Sequence, residues 1–415
     1  MAGIHFAGTA SSGSAAQIDG AVALEGRSPS LLERLAAANS PKDYVADENY
    51  FYYKQDIERL EAMGVEYYSF SIPWTRSLPF VLPGAPVNKQ AIDHYNDLIK
   101  TVLDAGMQPV VSMLHLDSLL LLQLDIPTLD MLMLVIKIKL FVDAFVNYGK
   151  ILLANFADRV PRWVTSIEPL LYAFNFEGVG NVIHAHAQVY RFYHEELRAP
   201  GKMSLKLNDN FGVPKNPKNN THVEAANRFN KMQLTFFTRQ LNKTEMKFIG
   251  QTADFFAIDP CAATVDSPAD EGITACLVSA LLVISNANEF QDLYVYITPT
   301  YFRKYLSYLW NKLQHPILVS EFGFPKWKES EKELSDQRFD STRSTYYLPY
   351  MSKILRAVHE DGVHVMGALA WSYTDNWEFG RPGHFGLQSA EFKSQEQFYK
   401  KSFFELIDFV KARQR

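Results

Sequence analysis

Short apolar runs and longer stretches with apolar residues three and four apart follow one another along nearly the whole chain. Ile4 to Ala7 reads as a first strand, followed by a small-residue loop over Thr9–Ala16 and a long loop over 21–48 with short helical pieces. A helix over Asn49–Met63 carries Tyr53, Ile57, Leu60 and Met63 on one face, and Gly64 stops it. Val65–Ile72 alternates, is rich in aromatics and reads as a strand. The pair then recurs. The helices fall at Ala91–Ala105 (closed by Gly106), Phe141–Phe156, Asn181–Leu197, Val223–Phe237, Pro299–Leu313, Thr345–Glu360 and Gln395–Lys411. The strands fall at Gln108–His115, Trp163–Ile167, Lys202–Leu207, Asp254–Ile258, Ile317–Ser320 and Val365–Trp371. Eight strands alternating with helices predict a single α/β (β/α)8 TIM barrel over residues 1–415, with no shift in composition to mark a domain boundary.

Two stretches do not follow the alternation. Leu119–Val142 is dense in Leu, Ile and Met but is interrupted by Asp125, Pro127, Asp130, Lys137 and Lys139. It lacks the roughly 18 uninterrupted apolar residues of a membrane span, and a loop and helix covering the core is expected instead. Cys276–Ile284 is apolar without clear periodicity and has no physical account in the sequence.

Composition changes this picture little. Of 415 residues, 47% are hydrophobic and 21% charged, and the net charge of −5 is too mild to suggest nucleic acid or a membrane surface as partner. Cys261 and Cys276 are the two cysteines, so no disulfide framework is implied. Met1 leads almost directly into Ile4-His5-Phe6 with no basic region before an apolar core, which predicts a cytoplasmic protein without a signal peptide.

The chemistry sits at strand ends. Trp163–Ile167 delivers Glu168, and Pro169 behind it cannot continue a sheet ladder. Some 150 residues further on, Ile317-Leu318-Val319-Ser320 delivers Glu321 ahead of Phe322-Gly323. Alone, each glutamate reads as a strand-end carboxylate in a salt bridge. Together, on two parallel strands, they supply what a retaining glycosidase needs: one acid/base and one nucleophile, roughly 5–5.5 Å apart.

Taken as a set, these strand ends resemble glycoside hydrolase family 1, the β-glucosidase family, and most closely its fungal intracellular members. Thr165-Ser166-Ile167-Glu168-Pro169 is similar to the family's acid/base motif, and Ser320-Glu321-Phe322-Gly323 to its nucleophile motif. The resemblance implies that Glu168 and Glu321 are catalytic and that Gln17 in Ala16-Gln17-Ile18-Asp19-Gly20 holds sugar hydroxyls. It places Arg76, after Trp74-Thr75, beside the nucleophile, and His115 against the bound sugar. Trp371 becomes the platform under the glycone and Glu378 the carboxylate for its outer hydroxyls. No metal or organic cofactor is implied, and the expected partner is a small-molecule glycoside.

The departures from the family pattern are equally specific. Ile167 replaces the asparagine that holds the sugar 2-hydroxyl, and Cys261 stands where a tyrosine bonds the nucleophile. Phe379 replaces a tryptophan, and Leu116 an aromatic. The chain is also shorter than the family pattern around Leu119–Ile138, Thr238–Gly250 and Ala262–Asn288, where loops build the aglycone entrance. The first reading is a retaining β-glycosidase with weakened glycone recognition. Two others stay open at this point. One is a barrel repurposed for acid/base chemistry on a non-sugar substrate in a less polar pocket made by Ile167 and Cys261, and the other is a catalytically weak binding relative.

Overall fold

In a computed structural model, the described residues are 7–22, 24–30, 46–80, 84–115, 117, 139–169, 176–208, 210–235, 243–260, 263–266, 295, 297–326, 328–378 and 381–413. Eight parallel strands close into a barrel: β1 (Ala7–Gly13), β2 (Tyr67–Ser71), β3 (Gln108–Ser112), β4 (Arg162–Ile167), β5 (Lys202–Asn208), β6 (Phe256–Asp259), β7 (Ile317–Phe322) and β8 (Val365–Trp371). Each pairs with its neighbours in the sequence order of the barrel, and β8 pairs with β1 to close it. A long helix follows each strand: α1 (Asn49–Ala62), α2 (Lys89–Asp104), α3 (Lys139–Phe156), α4 (Phe176–Arg191), α5 (Asn220–Thr235), α6 (Pro299–Leu313), α7 (Ser341–His359) and α8 (Lys401–Lys411). This is the (β/α)8 barrel that the alternation predicts.

Local chemistry explains the ends of the helices. The Asn88 side chain accepts a hydrogen bond from the Ala91 N–H at the start of α2. Gly64 and Gly106 take φ of 70° and 74° just past α1 and α2, a backbone conformation that costs glycine nothing. Two hydrophobic layers result. Trp163 on β4 and Met203 on β5 point outward into the large cluster shared with the helices. Val110, Val164, Ile167, Ala257, Leu318 and Leu369 point inward and, with Phe255, plug the barrel.

Three sequence expectations are corrected. β1 runs through Ala7–Gly13, where a small-residue loop was expected. Its pairing with Tyr67–Phe70 on one side and Gly367–Trp371 on the other overrides the weak strand propensity of Ala, Gly and Ser. The last helix begins at Lys401 rather than Gln395, because Glu396–Tyr399 pairs antiparallel with Gln388–Glu391 instead. The fourth helix starts at Phe176, and the chain continues beyond it as a π-turn over Phe192–Glu196. The Cys276–Ile284 stretch and most of Leu119–Val142 lie outside the described residues, although α3 takes up the latter from Lys139. No helix among the described residues is long and apolar enough to cross a membrane.

A buried charge network braces the loops after β7 and β8. Arg343 on α7 donates to Glu329 and Asp340, each at 2.5 Å, and to the carbonyls of Phe324 and His384. Lys400 at the start of α8 bonds Glu329 at 3.0 Å and Asp375 at 2.7 Å. Burial works to raise Asp375, but Lys400 and His384 outweigh it and hold the carboxyl down at about 2. Removing one partner of such a network leaves buried charge uncompensated. Arg343→Ala is therefore expected to destabilise the fold by roughly 3–5 kcal/mol. Urea unfolding measures it, and a loss below about 1 kcal/mol would refute the bracing role.

Candidate active site

The C-terminal ends of the eight strands form one mouth, and the candidate chemistry collects there. β4 ends at Ile167 and Glu168 follows with φ 49°, which turns the residue away from the sheet ladder. Its N–H still donates to the Lys206 carbonyl of β5 at 3.1 Å, so the turn is anchored to the neighbouring strand. Glu321 lies inside β7 near its end, where Ser320 donates to the Ile258 carbonyl of β6 at 2.9 Å. Gly323 allows close approach behind it: a Cβ there would strike the Trp371 carbonyl of β8. Tyr347 on α7 donates to that same carbonyl at 2.9 Å, which seats Trp371 at the mouth.

Other expected residues arrive from loops. Gln17, in the short helix Ala15–Ile18 after β1, donates to Glu378 at 2.7 Å, and Asn376 donates to the same carboxylate oxygen at 3.2 Å. Gln17 Oε1 is buried without a hydrogen-bond partner among the described residues, an acceptor left over in a polar corner. His115 lies 5.7 Å from Trp371, ring centre to ring centre. Its position is set by Asp117, whose carboxylate accepts from the backbone N–H of His115 at 2.9 Å and of Trp74 at 3.1 Å. Ile167 is buried in the barrel plug against Val110, Val164, Leu318 and Leu369. Cys261 and Phe379 lie outside the described residues.

Arg76 is a correction. Its guanidinium donates to the carbonyls of Ala21 at 3.1 Å and Leu24 at 3.3 Å and lies 3.9 Å over the Tyr50 ring. The cation bonded to Glu321 is Lys206 from β5, whose Nζ also sits 3.3 Å from Asp259 and 6.0 Å from the Trp371 ring centre. The physical reason is reach. The Ala21 and Leu24 carbonyls close over Arg76, while Lys206 already points into the barrel between β4 and β6. Sequence reasoning passed over Lys206 and Asp259. A signal was there: a lysine at the inward position of Met203-Ser204-Leu205-Lys206-Leu207 puts a charge in a barrel interior, where it needs a partner.

Electrostatics separate the two glutamates. Glu168 is pushed well above the ordinary glutamate value, by burial first, then by the charge of Asp259 and by a hydrogen bond to it. Glu321 is pushed up to about 8 by burial and by the Asp259 charge, against the pull of Lys206. Burial alone would lower the Lys206 ammonium, but Asp259, Glu321 and Glu168 outweigh it and hold the proton on. The carboxyls therefore share protons as one coupled cluster, with Glu321 the first of the two glutamates to ionise. Glu378 is raised to about 7, mainly by burial, and His115 is pushed down by burial and by Lys206. A carboxyl that holds its proton longest and a second one, bonded by an ammonium, that ionises before it suit general acid catalysis paired with nucleophilic attack.

With this geometry in place, the comparisons define the class. The family model for glycosyl hydrolase family 1 matches residues 5–179 and 238–414, and the chain belongs to that family of glycoside hydrolases. It is 26% identical over 449 residues to beta-glucosidase 1B of Phanerodontia chrysosporium, covering 93% of this chain and 81% of the relative. It is also 26% identical to beta-glucosidase 40 of Arabidopsis thaliana, covering 95% and 89%. Among solved structures, the fold matches a family 1 beta-glucosidase of Humicola insolens in complex with glucose, with TM-score 0.85, 22% identity, and 98% and 97% of the two chains covered. Beta-glucosidase 2 of Trichoderma reesei matches with TM-score 0.84 and 24% identity over 98% of each chain.

The raised carboxyls make stability depend on pH. Glu378 and Glu321 bind protons more tightly folded than unfolded, so their contribution is fully present below the unfolded value of 4.5. It is lost as pH rises through the folded values of about 7 and 8. Unfolding free energy is expected to fall between about pH 5 and pH 8, and Glu321→Gln should flatten that slope. Urea titrations at each pH measure it. A parent protein whose stability rises across this window would contradict the environments described.

Proposed function

We propose that this protein is a retaining β-glycosidase acting on β-D-glucoside-like substrates, with Glu168 as acid/base and Glu321 as nucleophile. The observation that carries the proposal is the pairing of environments: half-buried Glu168 raised by desolvation and the Asp259 charge, Glu321 bonded by the Lys206 ammonium. The sugar stacks on Trp371, and its outer hydroxyls bond Glu378 and Gln17, whose Oε1 has no partner among the described residues. Glu168 gives its proton to the departing oxygen as Glu321 attacks the anomeric carbon from the opposite face. A water then gives its proton to Glu168 and releases the sugar from Glu321.

Glycone recognition is weakened in this reading, because Ile167 carries no donor or acceptor for the 2-hydroxyl. One contact of that kind is worth roughly 1–3 kcal/mol, or about ten- to a hundredfold in rate. The relatives' names support a glucoside as substrate, being beta-glucosidases from a fungus and a plant. A small-molecule glycoside is the proposed partner, and the whole of residues 1–415 the proposed catalytic unit.

Labelling tests the nucleophile. A slow 2-fluoro glucosyl donor should mark a peptide containing Ser320-Glu321-Phe322, and Glu321→Gln should abolish both label and turnover. Label on Glu168 or Glu378 would show the roles to be wrongly assigned. A second outcome concerns Ile167: the Ile167→Asn enzyme is expected to gain about tenfold in kcat/KM on aryl β-glucosides and little on 2-deoxy glucosides. No gain from a well-folded variant would count against weakened 2-hydroxyl recognition.

A further inference from the structure

Two charged side chains stand between the glutamates, and the double displacement written above gives neither of them a step. Lys206 is 3% exposed and points inward from β5, where its neighbours in register are Ile167 on β4 and Ala257 on β6. Its ammonium bonds Glu321 on β7 and lies 3.3 Å from Asp259, the last residue of β6, itself 4% exposed. The charge of Asp259 in turn acts on Glu168, just past β4, and raises its carboxyl. Four consecutive barrel strands thus carry a chain of groups: Glu168, Asp259, Lys206, Glu321.

The alternation of that chain has a direct consequence. A hydrogen bond between two carboxyl groups needs one proton, and a bond from an ammonium needs an ionised acceptor. Asp259 lies 3.3 Å from the lysine, and its charge raises the Glu168 carboxyl, so the proton stays on Glu168 longest. Lys206 bonds Glu321 and pulls against its raised value, so Glu321 gives up its proton before Glu168 does. We propose that Lys206 and Asp259 act as a positioning pair that sets the order in which the two glutamates ionise, Glu321 before Glu168, with Lys206 as the cation of the nucleophile. The pair rests on the roles proposed for Glu168 and Glu321, and it extends them to residues that no part of the resemblance assigns.

Among the described residues, the surroundings leave the assignment to this pair. Arg76 is held by the Ala21 and Leu24 carbonyls. His115, facing Lys206 from the loop after β3, is pushed toward the neutral form. Glu378, behind Glu321, is bonded by Gln17 and Asn376 and adds negative charge rather than a cation. Tyr347 on α7 is held far above its ordinary value, chiefly by burial, and stays neutral. The carboxylates also hold Lys206 protonated, so it has no free amine for covalent chemistry with a carbonyl.

The test compares the parent with Asp259→Asn, Lys206→Met, Lys206→Arg and the Lys206→Met/Asp259→Asn double variant. Carbon-13 NMR of labelled glutamate carboxyls follows Glu168 and Glu321 directly, with Glu168→Gln and Glu321→Gln as assignments. The pH profile of kcat/KM is recorded on an aryl β-glucoside with a poor leaving phenol and on the dinitrophenyl glucoside. Losing the Asp259 charge should move both titrations, and the whole bell, to lower pH by at least about one unit. Losing the ammonium should move them up by a similar amount, while Lys206→Arg stays within a few tenths of the parent. The alkaline limb should be weaker on the dinitrophenyl glucoside, which needs little acid assistance.

In the double variant, a neutral pair that keeps the site folded should the single variants fail, the first ionisation should spread over both glutamates. Titrations unmoved in the single variants, or a double variant in which Glu321 alone still ionises first, would overturn the pair. If the NMR titrations shift as expected while no glycoside is turned over, the pair stands and the proposed hydrolysis fails. Turnover with unshifted titrations does the reverse: the hydrolysis stands and the pair fails.

Discussion

An ammonium buried in the mouth of a closed barrel survives only if carboxylates take up its charge. Lys206 meets that condition through Glu321 and Asp259, and the arrangement of the site follows from it. The carboxylates must come from β6 and β7, because those strand ends face the inward position of β5 across the mouth. Glu168, on the other side of β5, is raised by desolvation and the Asp259 charge against the pull of Lys206, which favours its protonated form. The opposed environments of the two glutamates are thus a consequence of placing one lysine between four strands.

The barrel makes this arrangement possible because its interior below the mouth is packed with apolar side chains. Val110, Val164, Leu318 and Leu369 fill the barrel, so the charges above rest on an apolar floor and act on one another at low effective dielectric. The outer layer of helices holds the strand ends in register. Behind the mouth, the network of Arg343, Glu329, Asp340, Lys400 and Asp375 ties the loops after β7 and β8, the ones that carry Gly323 and Trp371–Glu378, to α7 and α8. A site built from loops is in this way given the rigidity of the helices.

The resemblance of the sequence to a β-glucosidase and the structure agree on the barrel and on the strands that deliver Glu168 and Glu321. They part at the cation. Arg76 occupies the expected place in Pro73-Trp74-Thr75-Arg76, yet its guanidinium turns to the Ala21 and Leu24 carbonyls and the Tyr50 ring. A motif gives a residue's place on the chain, whereas the direction of a long side chain follows whatever packs against it. The first strand shows the same thing at the level of backbone. Ala7–Gly13 has little strand propensity, and it forms β1 because β2 and β8 on either side offer it two complete ladders.

By itself the sequence determined the eightfold alternation, the strand ends that carry Glu168, Glu321 and Trp371, and helix stops such as Gly64 and Gly106. All of these are local, written in periods of two and 3.6 and in residues with restricted or permissive backbones. Only the tertiary structure decided that Lys206 is the partner of Glu321, 115 residues away, and that Asp259 joins it to Glu168. Barrel closure brings those positions together, and the cost of a buried, unpaired charge selects which of them touch.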